Sequence, residues 1–157
     1  MAIPAAAGVL FCLRRLIEQA DGRREVEGEM RPKLRWTHVA LAWLFVVGLV
    51  AQVFLAGRGV FDPAAGFQPH VGLGYTLELL PILLAILALV AGMGRRLTLF
   101  AVVEFGLFIL QSVFVAMRSS NPTIAALHPV NGFLILLIAI VIARESTAIA
   151  QGRSALS

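Results

Sequence analysis

The sequence predicts an all-α polytopic membrane protein, an up-down four-helix transmembrane bundle built from two repeated helical hairpins. Three observations lead there. The 157 residues are 59% hydrophobic and 14% charged, with a mean hydropathy of +0.89, whereas a soluble domain is about half apolar and a quarter charged. Four apolar runs recur, each near the ~20 residues that cross a ~30 Å hydrocarbon core. The connections between them are short and hold turn-forming residues. No alternating strand pattern separates the runs, and lipid cannot satisfy free backbone groups, so each run is expected to be an α-helix.

The elements follow in order. Residues 1–29 form an N-terminal segment that is cytoplasmic or interfacial. Its apolar stretch AAAGVLFCL is too short to span and has no basic residues ahead of it, so a signal peptide is not expected. Leu13, Leu16 and Ile17 against Arg14, Arg15 and Glu18 fit a short interfacial helix, and DGRREVEGE reads as a solvated linker. A start at Met30 is the alternative. Cys12 is the single cysteine, which excludes an intrachain disulfide. The transmembrane domain is placed at 30–146, with helices at about 36–56, 71–93, 97–117 and 124–143, and a cytoplasmic tail at 147–157. GRGVFDPAAGFQP is a turn-rich loop, GMGRR a tight turn, and RSSNP a turn whose Pro122 can open the fourth helix. Such short loops impose up-down topology.

The charges orient the bundle. Arg14, Arg15, Arg23, Arg24, Arg31, Lys33, Arg35, Arg95, Arg96, Arg144 and Arg153 fall on one side, and Arg58 and Arg118 on the other. The positive-inside rule then makes both termini and the middle loop cytoplasmic. Arginine far above lysine, with abundant alanine and glycine, suggests a GC-rich bacterial genome, hence a bacterial cytoplasmic (inner) membrane. There is no basic face with interleaved aromatics, so a nucleic-acid partner is not expected.

Strongly polar residues at membrane depth are functional candidates by default. Six stand out: Gln52, His70, Glu78, Glu104, Gln111 and His128. Gln52…His70-x-x-x-Gly74 is repeated as Gln111…His128-x-x-x-Gly132, with Gln-to-His offsets of 18 and 17. In an up-down bundle the second and fourth helices are diagonal, and both begin with their histidine at the outer face. Residues i and i+4 share a helix face, so each histidine overlooks a position without a side chain. Two axial nitrogens on facing helices, with bare backbone beside them, suit a bis-histidine haem, in which His70 and His128 would bind the iron. A purely structural pair, another metal site and a quinone site remain as alternatives. Gln52 and Gln111 could fix the histidine tautomers or hydrogen-bond between helices. Glu78 and Glu104 could relay protons, bond a quinone headgroup, or sit neutral against a backbone carbonyl. His38, near Arg35, reads as interfacial. No metal-ligand spacing of Glu-x-x-His or Cys-x-x-Cys type, no Ser-His-Asp set and no phosphate loop is present, so the chain is not expected to be an enzyme by itself.

These residues resemble one half of the haem A synthase family, which is built from two four-helix halves with a histidine opening the second and fourth helix of each. Gln111, Leu127, His128 and Gly132 match its third and fourth helices, and Gln52 its first, over about residues 36–143. The resemblance implies a haem-binding role for His70 and His128, with Gln52 and Gln111 beside them. The family's catalytic Glu lies four residues before the second-helix histidine, and that position is Gly66 here. The outer-loop cysteine pair is missing too. The chain also resembles an uncharacterised family of short four-helix bacterial membrane proteins, through the FLAG end of the first helix and the ALHPVN opening of the fourth. The expectation is therefore a haem b-binding membrane protein for electron transfer, or a subunit of a redox complex. Arg58 or Arg118 would pair with the propionates. The alternative is a cofactor-free subunit of a larger membrane complex. Other membrane subunits, a second copy in a homodimer and a quinone are the candidate partners besides the bilayer.

Overall fold

The computed structural model describes residues 4–62 and 64–153, with side chains from Gly28 onward. Six helical segments follow one another: α1 (Pro4–Phe61), α2 (Gln68–Glu78), α3 (Leu80–Val90), α4 (Arg95–Ala116), α5 (Pro122–Ala125) and α6 (Leu127–Ala150). No strand occurs among the described residues. They assemble into four helices long and apolar enough to cross a membrane: 28–61, 68–90, 95–116 and 122–150.

Two prolines explain why four spans comprise six segments. Pro81 has no N–H to give Leu77, and its ring crowds that carbonyl, so the second span breaks at Leu79 between α2 and α3. Pro129 acts likewise on Ala125, and the fourth span breaks at Ala126. Asn121 starts that span by accepting the Ile124 N–H at 3.2 Å, with Pro122 as the first helical residue.

The linker expected at DGRREVEGE is instead part of α1, which runs without a break from Pro4 to Phe61. Apart from two glycines the stretch is made largely of arginine and glutamate, which are good helix formers. The side chains of the proposed interfacial helix, and Cys12, lie outside the described residues. The fourth span also outruns its expected end at 143 and continues to Ala150.

α3 ends in a Schellman motif. Gly92 takes φ +61°, the Met93 N–H reaches the Ala88 carbonyl at 2.9 Å, and the Gly92 N–H reaches Leu89 at 3.2 Å. Arg35 on α1 donates to the freed carbonyls of Ala91 and Gly92 at 3.2 and 3.4 Å. This ties the first span to the end of the second.

The spans form a closed ring of neighbours: first to second, second to third, third to fourth, and fourth back to first. The second and fourth are diagonal. Each span turns a narrow stripe inward. On α4 the stripe is Leu97, Ala101, Glu104 and Phe108, alternating steps of four and three; Ala42, Phe45, Leu49, Leu84, Ala88, Ile135, Ala139 and Ile142 face it from the other helices. Less than a third of the residues in each span are buried within the molecule. Leu44, Phe54, Leu79, Leu89, Phe133 and Leu137 stand outward, as lipid contact requires.

Candidate functional site

The polar residues gather at two ends of this core. At one end, called here the histidine end, lie the starts of α2 and α6 and the last turns of α1 and α4. His70 opens α2 behind Pro69, and His128 opens α6 ahead of Pro129. Because their spans are diagonal, the two rings meet across the bundle axis. Their centroids are 6.1 Å apart with 69° between the planes. Phe67 stands edge-on to His70 at 6.3 Å.

Each ring is anchored by the preceding helix. His70 Nδ1 lies 3.1 Å from the Gln52 carbonyl and His128 Nδ1 lies 3.4 Å from the Gln111 carbonyl. A carbonyl only accepts, so in both rings Nδ1 carries the proton and the neutral imidazole keeps its lone pair on Nε2. The sequence suggested that the glutamine side chains would set the tautomers. The backbone carbonyls of the same two residues do so, since each has a second lone pair to offer, and at His128 the Gln111 side chain also bonds the second ring nitrogen.

The two glutamine amides bond differently. Gln52 Nε2 donates to the His70 carbonyl at 2.8 Å. Gln111 Nε2 lies 3.4 Å from His128 Nε2 and donates to it. Asn131 fixes that choice: its amide donates to Gln111 Oε1 at 2.6 Å and to the Leu107 carbonyl at 2.9 Å. The sequence reading passed over Asn131, although it lies three residues after His128 and so shares its helix face. The first hairpin has Leu73 at the matching position, and Gln52 Oε1 is left buried without a partner.

Gly74 and Gly132 face these amides rather than bare space. A Cβ at Gly74 would come within 2.8 Å of Gln52 Nε2, and one at Gly132 within 3.4 Å of Gln111 Nε2. In the structure the missing side chains make room for the glutamines of the neighbouring helix. Arg58 pairs with exposed Asp62 at 3.5 Å, and Arg118, in the turn after α4, bonds the Val115 carbonyl in the last turn of that helix. Glu78 is half-buried at the end of α2, away from the histidines.

The opposite end, the arginine end, is better packed. His38 is fully buried rather than interfacial. The helix extends so far below it that position 38 faces α6, where its Nδ1 meets Ser146 Oγ at 3.0 Å. The serine hydroxyl donates to Ile142 at 2.5 Å, so it accepts from the imidazole. Glu145, 2% exposed, pairs with Arg96 at 3.0 Å. Neither Glu145 nor Ser146 entered the sequence reading, which ended the helix before them. Between the two ends sits Glu104, fully buried, with no hydrogen-bond partner for either carboxyl oxygen.

Residues 52–117 match the model of a family of unknown function, DUF6220. The chain is similar to that family over less than half its length. The matched stretch holds Gln52, His70, Gly74, Glu104 and Gln111 and stops before His128. No curated protein and no solved structure matches the chain. A family of unknown function is consistent with the second of the two resemblances; no match is to haem A synthases. Among the described residues no group of three or more His, Cys, Asp or Glu could hold a metal ion.

Proposed function

We propose that the protein is a haem b-binding integral membrane protein, with His70 and His128 as the two axial ligands. The observation that carries this reading is the paired rings, 6.1 Å between centroids, each with Nδ1 anchored and Nε2 left as the lone-pair donor. A metal held between two imidazoles at ordinary bonds of about 2 Å puts the ring centres roughly 6 Å apart. Backbone carbonyls on Nδ1 are the usual orienting partners of metal-binding histidines. The fit has one requirement. The Gln111 amide must turn away from His128 Nε2, and the Asn131 bond resists that turn.

A bound haem would supply one-electron redox chemistry, and two axial histidines would close the iron to oxygen. The chain then acts in electron transfer or as a subunit of a redox complex. The membrane is a bacterial cytoplasmic one, with the histidine end outward and the arginine-rich end in the cytoplasm. Arg58, released from Asp62, and Arg118 are the cations in reach of propionates at that end.

The test is a reduced-minus-oxidised visible spectrum of protein purified from haem-replete cells. A sharp reduced band is expected in the wild type and its loss in His70→Ala and in His128→Ala. Colourless wild-type protein refutes the reading.

A second reading is favoured by the glutamine amides seated on Gly74 and Gly132. Here the histidines, glutamines and Asn131 form a polar clasp between helices of a cofactor-free membrane subunit. Interhelical hydrogen bonds of this kind are worth roughly 0.6–2 kcal/mol each. Such a subunit should co-purify with a stoichiometric partner and should bind no pigment.

A further inference from the structure

Glu104 is used by neither reading. It lies on the inward stripe of α4 between Ala101 and Phe108, fully buried, and neither carboxyl oxygen has a hydrogen-bond partner. The other titratable side chains buried in the bundle, His38 and Glu145, are at the arginine end and are engaged with Ser146 and Arg96. Glu104 therefore has no counter-charge. An ion stripped of water costs several kcal/mol even after relaxation, so the bundle accommodates the acid form, and the ligand of this site is a proton.

The surroundings of Glu104 differ in the two directions. Towards the arginine end the core offers Ala101, Leu97, Ala139 and Ile142, all apolar. Towards the histidine end, Leu107 is one turn up the same helix, a rise of about 4.5 Å, and its carbonyl receives the Asn131 amide. Asn131 continues to Gln111, and Gln111 to the half-buried His128. These bonds make a line of donors and acceptors from the half-buried imidazole to the Leu107 carbonyl, whose residue lies one turn along α4 from Glu104. Amides do not carry protons themselves. They supply partners for water that would otherwise be unsatisfied in a membrane core.

We propose that Glu104 is a proton-binding site with one-sided access, loaded and emptied past Asn131 and Gln111 from the histidine end. On release the Glu104 O–H bond breaks and the proton passes to a water molecule entering along that line, and from it to solvent. On uptake the same bonds form in reverse. The line is the one in which Asn131 holds Gln111, the arrangement of the second reading above.

The test uses full-length protein in lipid films, read by the infrared C=O stretch of a protonated carboxyl during exchange from H2O to D2O. The wild type should show a band that Glu104→Gln removes. Asn131→Leu should slow its deuterium shift at least about tenfold, while Ser146→Ala at the other end should not change it. If Asn131→Leu lacks the wild-type helical circular dichroism, Gln111→Met takes its place. A band that survives Glu104→Gln, an exchange rate unchanged by blocking Asn131 or Gln111, or slowing by Ser146→Ala instead would each overturn the proposal.

Discussion

Gly74 and Gly132 occupy equivalent places but leave different margins. Alanine in mid-helix gains roughly 0.5–1 kcal/mol over glycine from the unfolded chain. At Gly132 the new methyl would stand 3.4 Å from the Gln111 amide, so that gain should survive and the variant should melt higher. At Gly74 the distance is 2.8 Å. There the Gln52 amide has to swing away and lose its bond to the His70 carbonyl, at a cost of about 1 kcal/mol. Gly74→Ala should therefore melt below Gly132→Ala in detergent, by an amount near that bond. Equal melting would mean that Gln52 contributes nothing. At this scale the sequence shows the histidine pair, because two matched His-x-x-x-Gly units sit at the same depth. It hides the direction of each amide, which depends on Asn131, a residue outside the repeat. The glycines looked like open backbone because a one-dimensional pattern does not reveal which neighbour fills a missing side chain.

Helix ends at the arginine end are held by charged groups from other helices. Arg35 covers the last carbonyls of α3, and Arg96 meets Glu145. Glu145 is buried while Arg96 is more than half exposed, so solvent screens the pair from one side only. Arg96→Ala should lower stability by roughly 1–3 kcal/mol, the cost of a buried charged group deprived of its partner. Adding Glu145→Gln should recover most of the loss. Thermal unfolding followed by circular dichroism measures both, and an unchanged midpoint in Arg96→Ala would show the pair to be idle. The composition marks the four spans well, since lipid-facing and core-facing residues are both apolar. For the same reason it misplaces their ends. Glu145 and Ser146 fell past the expected end of the fourth helix at 143, yet they lie within α6 and face α1 and α4 inside the bundle. Pro129 could be read as a bend within the fourth helix, whereas the break at Pro81 lay hidden in an apolar run.

As a whole the molecule is a ring of four helices with a thin core and a wide apolar exterior. The span at 28–61 is about 51 Å long at helical rise, well beyond a ~30 Å hydrocarbon core. The first helix therefore projects past the membrane boundary, with Arg31, Lys33 and Arg35 near that boundary. Orientation can be checked in a Cys12→Ala background. Ser120→Cys should react with a membrane-impermeant maleimide added to intact cells, and Gln151→Cys only after permeabilisation. The reverse pattern would invert the topology and put the histidine end in the cytoplasm. The bundle and its diagonal pairing are legible in the sequence because short loops leave few ways to arrange four spans. The continuous first helix is not, since a charged stretch of helix formers reads equally well as a solvated connection.

The mismatch between Leu73 and Asn131 has a further consequence. One imidazole is tied through Gln111 and Asn131 to the Leu107 carbonyl, and the other stands beside a glutamine whose side-chain oxygen has no partner. The two halves of the repeat are thus unequal in compliance. The glutamine of the second hairpin is held at both ends of its amide, and that of the first hairpin at one.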